Sequence, residues 1–141
     1  MSLETLSIDG KTEWHGSNSN VVKEGTMKTM TPSEWEEMWE QYIGEPCPGM
    51  LPPDAMGVSV FLGERSTTGY GVQIYSVKEE KNKIRVKWEE KKPHKSTRVR
   101  NEITQPWQII LTPKSEKPIS IEEEQKVDMR NRHQPTLRPR I

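Results

Sequence analysis

The sequence contains one cysteine, three histidines and one phenylalanine in 141 residues. Cys47 alone permits neither an internal disulfide nor a cysteine-built zinc site, and His15, His94 and His133 stand apart without ligand spacing. Neither a metal nor another cofactor is therefore expected. The apolar runs are only a few residues long, so no transmembrane span is expected, and the first four residues lack the basic-then-apolar layout of a secretory signal. Net charge is missing too: 21 Lys and Arg stand against 21 Asp and Glu, so no global field recruits nucleic acid or an anionic membrane. The expected location is the periplasm or the outside of the cell if a leader was removed, and the cytoplasm otherwise. A single free thiol fits either.

What is present points to one modest domain. Val, Ile, Leu and Phe together number only 26, so the core has to rely on five Trp and seven Met. Charge is split along the chain: residues 1–57 sum to −7, residues 58–121 to +6 and residues 122–141 to +1. Such a split reads either as packing within one domain or as a polar surface offered to a partner.

The clearest helix is Pro32–Ile43. Thr31 is placed to cap it, Pro32 to start it and Glu34 to close a capping box, with Met30 and Trp35 as a hydrophobic staple. Trp35, Met38, Trp39 and Tyr42 fall on one stripe, and Gly44 ends the helix. Strands follow. Gly57–Gly63 is short and apolar, as a doubly covered central strand requires. Tyr70–Tyr75 and Ile84–Glu89 alternate across a Lys81-Asn82-Lys83 link, which makes a hairpin, and Trp107–Thr112 is a further strand. Leu6–Ile8, Thr12–His15 and Asn20–Lys28 are weaker candidates. The expected fold is α+β, mainly β: an antiparallel sheet, as a sandwich or partly open barrel, with one amphipathic helix at 32–43. Residues 1–29 supply N-terminal strands, 30–121 the core of the same domain, and 122–141 a basic tail that either stays unordered or docks on a partner.

Chemistry-bearing patterns are sparse. The loop Gly63–Gly71 lacks the Gly-Lys-Ser/Thr ending of a phosphate cradle, which leaves it as a structural hairpin loop or an exposed recognition loop. Cys47 lies between prolines, far in sequence from His94, and paired carboxylates such as Glu36 and Glu37 point apart. Lys78–Arg100 has ten basic and four acidic residues around Trp88, but alternation sends Trp88 to the core and Lys83, Arg85 and Lys87 to the opposite face.

Read in order, Ser33-Glu34-Trp35-Glu36-Glu37-Met38-Trp39, Met56–Arg65, Thr67-Thr68-Gly69-Tyr70-Gly71, Ile84–Glu90, Thr104-Gln105-Pro106-Trp107 and Pro113-Lys114-Ser115 resemble the PrcB family, accessory proteins of an exported bacterial protease complex. The resemblance covers residues 30–121. It implies a non-enzymatic accessory or binding domain with no catalytic residues and a protein partner, such as a protease or envelope complex. The candidate contact residues are Glu64, Arg65, Ser66, Thr67, Thr68, Gly69 and Tyr70, with Arg65 as polar anchor and Tyr70 fixing the loop base. Two other readings stay open: a structural subunit that self-associates, and a small hydrolase whose site is not visible in sequence.

Overall fold

The computed structural model describes residues 6–124. Among the described residues, seven strands form two sheets. Within the first, β1 (Glu13–Gly16), β2 (Gly25–Thr29), β3 (Ala55–Phe61) and β6 (Trp107–Pro113) run in the order β1-β6-β3-β2, all antiparallel. The second has β4 (Gly71–Glu79), β5 (Ile84–Lys91) and β7 (Ile119–Glu123) in the order β4-β5-β7. The hairpin β4–β5 is antiparallel, with a bulge between Ile74 and Ser76, whereas β7 pairs with β5 in parallel. No barrel closes among the described residues, and their fold is α+β, mainly β, as expected.

The helical segment Pro32–Ile43 covers one face of the first sheet and the second sheet covers the other, so β3 is buried at every position. Its Ala55 and Phe61 join Trp35, Trp39, Ile43, Trp107, Ile109 and Leu111 on the helix side. Met56, Val58 and Val60 meet Val72, Ile74, Ile84, Val86 and Trp88 between the sheets. Alternation along one central strand thus feeds two cores. At Gly57 the helix packs tightly on the strand: a Cβ there would lie 2.7 Å from the Trp35 ring. Buried Gln108 joins the sheets, its Oε1 accepting from the Ile74 N–H of β4 and its Nε2 donating to Glu13 of β1 at 2.6 Å.

The helix start follows the sequence. Thr31 accepts from the Glu34 N–H at 3.1 Å, and the Glu34 carboxylate accepts from the Thr31 N–H, closing the capping box. The staple does not form, because Met30 packs against the inter-sheet core while Trp35 enters the helix-side core. The α-helix α1 covers Pro32–Glu37, and Met38–Ile43 continue as a π-helix that ends at Gly44, whose N–H donates to Trp39 O. The wider turn advances the buried position by one residue. Ile43 is therefore buried, and Tyr42, expected on the stripe, is 39 % exposed.

The three N-terminal strand candidates fare differently. Leu6–Ile8 contributes a single bridge, Ile8 to Lys11, across the Asp9-Gly10 turn. Thr12–His15 becomes β1, and only the second half of Asn20–Lys28 pairs, as β2. The C-terminal reading stops short as well, because β7 carries pairing through Glu123. The short alternation of β7 places Ile119 and Ile121 against the inter-sheet core while the strand pairs along β5. The rest of the expected tail, residues 125–141, lies outside the described residues.

Candidate functional site

The turn between β3 and β4 is fastened at both ends. On entry, Glu64 N–H donates to Val22 O at 3.1 Å, and Arg65 and Thr104 exchange both backbone hydrogen bonds at 2.9 Å. On exit, Thr68 N–H donates to Arg100 O at 3.1 Å while Thr68 Oγ1 accepts from Arg100 N–H at 2.9 Å. Between these clamps, Thr104 Oγ1 donates to Thr67 O at 3.2 Å and Thr67 Oγ1 to Thr68 O at 3.0 Å. Gly69 sits at φ 100°, where a side chain is strained, and a Cβ there would meet Pro93 at 2.8 Å.

Arg65 turns onto its own domain. Its Nε donates to Glu90 at 2.8 Å, and its Nη1 donates to Leu62 O at 3.0 Å and to Glu64 O at 2.9 Å. The guanidinium also lies 5.8 Å from the Tyr70 ring centre. The hydrogen bond to Glu90 raises the Arg65 pKa further above its already high ordinary value, so the cation persists. Tyr70 is half-buried and packs against the inter-sheet core. Glu64, Ser66 and Gly69 are the exposed members of the turn. Of the seven candidate residues, then, Arg65, Thr67, Thr68 and Tyr70 support the turn's shape, while the three exposed ones are its outward surface.

Sequence reading did not pick out Glu90, Thr104 and Arg100 as the supports of this turn. A signal existed for one: Thr104 opens the Thr-x-Pro motif, and its hydroxyl braces Thr67. Glu90 and Arg100 carry no local pattern, since what matters about them is a contact made 25 and 32 residues away.

The remaining chemistry-bearing residues do not converge on the turn. Cys47 packs against the helix-side core and its Sγ donates to Gly49 O at 3.2 Å. His94 is exposed and bonded to Ser96 at 2.8 Å. No group of three or more His, Cys, Asp or Glu side chains is gathered for a metal among the described residues. Trp88 is buried, and Arg85 and Lys87 on the outer face are held by Glu80, Glu122 and Glu124. No helix among the described residues is long and apolar enough to cross a membrane.

The fold and the turn together define a small two-sheet, one-helix domain that presents a braced surface loop. Residues 56–113 match the family model described as PrcB C-terminal. The match runs from β3 to the end of β6, includes the whole turn and its three supports, and agrees with the resemblance carried by the motifs. The helix motif Glu34–Trp39 lies outside the matched segment. No curated protein and no solved structure matches the chain. The family match supports a domain of accessory type.

Proposed function

We propose that this is a non-enzymatic accessory domain that contacts a larger protein complex through the turn Glu64–Tyr70, an exported protease or envelope assembly being the kind of partner in view. The observation that carries the reading is the bracing of the turn at both ends. A loop already held in one shape loses little conformational entropy on binding, which is how a small contact gains affinity. Glu64, Ser66 and Gly69 are the surface offered, and Arg65 acts by keeping them in place.

The test is affinity capture from the source organism with envelope and soluble fractions kept apart, comparing the native chain with Ser66→Trp. Ser66 is exposed, so the bulky side chain should alter the contact and leave the fold intact, which far-UV circular dichroism would check. A stoichiometric partner that is retained by the native chain and lost by Ser66→Trp is the expected result. Equal retention by both removes the turn from the contact.

A further inference from the structure

A groove of about 610 Å³ lies along β1, bounded by Trp14, Trp39 and Trp107 and by Glu45, Pro46 and Pro48 across from the strand. β1 is an outer strand of the first sheet. Thr12 O accepts from Leu111 N–H, and the antiparallel register pairs Trp14 with Ile109 and Gly16 with Trp107. Alternation in such a ladder leaves the main-chain groups of Glu13 and His15 directed to the open edge. An unpaired strand edge beside a groove fits an added strand.

A second observation points to a ligand. Trp39 lines this groove and is 2 % exposed, and its indole N–H has no hydrogen-bond partner among the described residues. A buried donor left unmet is costly, and an arriving carbonyl would satisfy it.

Charge says what kind of segment fits. Residues 6–57 hold nine acidic and three basic side chains. Each ion pair between two described residues lies within 65–124, so these carboxylates have no such pair. The seventeen residues after Glu124 hold five basic and one acidic side chain. They can span up to about 60 Å. Glu124 leaves β7 parallel to β5, toward the Lys91 end, where Gly71 and Lys91 border Glu13, His15 and Gly16. Within the segment, Met129–Gln134 contains no proline, so every residue can join a ladder, and Arg130 and Arg132 fall on one face of an extended chain.

We propose that Met129–Gln134 of this chain adds to the open edge of β1, with a backbone carbonyl accepting the Trp39 indole N–H.

A spin label at His133→Cys in the full chain carrying Cys47→Ser tests this. The expected result is selective loss of the Trp39 indole and the Glu13 and His15 amide signals, restored when Arg130, Arg132, Arg138 and Arg140 are all changed to Glu. No loss at these positions, or a diffuse loss over the whole surface, overturns the proposal. Loss seen only when spin-labelled and isotope-labelled copies are mixed puts a second copy's segment there and also overturns it. In the unmodified chain the Trp39 indole signal should shift as salt rises and screens the attraction, and an invariant signal counts against docking.

Discussion

The two sides of the first sheet are stabilised differently. On the helix side, Trp35 and Trp39 each contact Trp14 and each other edge to face at centroid separations of 5.8–5.9 Å, and Trp39 meets Trp107 at 5.5 Å. The acidic surface there has no ion pair between described residues. On the other side an aliphatic core around Trp88 is backed by a charged face, where Arg85 bonds Glu80 and Glu122, Lys87 bonds Glu124 and Lys117 bonds Glu79. A chain poor in aliphatic residues thus uses four large rings where it has one short helix to hold. It uses strand pairing and surface charge where it has a third strand to recruit. The helix side should fail by losing volume or shape, and the second sheet by losing charge.

The largest effect is expected from Trp35→Ala. Trp35 is fully buried, touches two other indoles and donates to Gly49 O at 2.9 Å. Its loss should cost about 3–5 kcal/mol in chemical denaturation. A loss below about 1 kcal/mol, the size of an ordinary surface change, would mean the helix contributes little to the domain.

Gly57→Ala tests the same contact from the sheet. The new Cβ would collide with Thr29 Oγ1 and stand 2.7 Å from the Trp35 ring, and both neighbours are buried. Overpacking of this kind costs about 1–3 kcal/mol. Methyl and amide shifts should change on the helix side and leave the inter-sheet core in place. Changes spreading equally into Val86 and Trp88 would show that the two cores are coupled and the contrast is false.

Arg65→Ala should cost about 1–2 kcal/mol, with Arg65→Lys restoring part of it. The Glu90 side chain is only 10 % exposed, so removing its partner strands a carboxylate with little water. From sequence alone Arg65 reads as a surface residue whose loss is nearly neutral, so a neutral result by thermal melting would favour that simpler view over the brace.

The difference between these two readings of Arg65 shows where sequence stops being informative. Capping at Thr31, the alternation around Trp88 and the apolar run of β3 were legible because each is decided by neighbours within a few residues. The bracing of Arg65 by Glu90, the groove beside β1 and the parallel docking of β7 are decided by segments brought together from tens of residues away. Trp14 reads as part of a weak strand and does sit in β1, but that its ring joins the helix-side core is decided by a helix some twenty residues further on. The π-turn was likewise hidden: a stripe of apolar residues does not say whether its last turn has four or five residues.

The smallest and most selective effect should be that of pH on β7. Glu80, Glu122 and Glu124 are held below the ordinary carboxylate value of 4.5, by Arg85, by the Ser120 hydroxyl with Arg85, and by the Tyr75 hydroxyl with Lys87, respectively. Tyr75, which donates to Glu124, is pushed up from 10.0 to about 12. A lowered carboxylate stabilises the fold fully above its unfolded value and loses that contribution as pH falls below 4.5. A raised phenol stabilises fully below 10.0 and loses its contribution as pH climbs toward about 12. The contacts that hold β7 to β5 should therefore be strongest between these limits. Because all four groups are solvent-facing, the effect should be a local loosening with no global unfolding. Followed by NMR, the amides of Ile119–Glu123 should move at both limits while the Trp35 indole signal stays put. If the Trp35 signal moves with them, charge on the second sheet reaches the helix-side core, and the two sides are not independently stabilised.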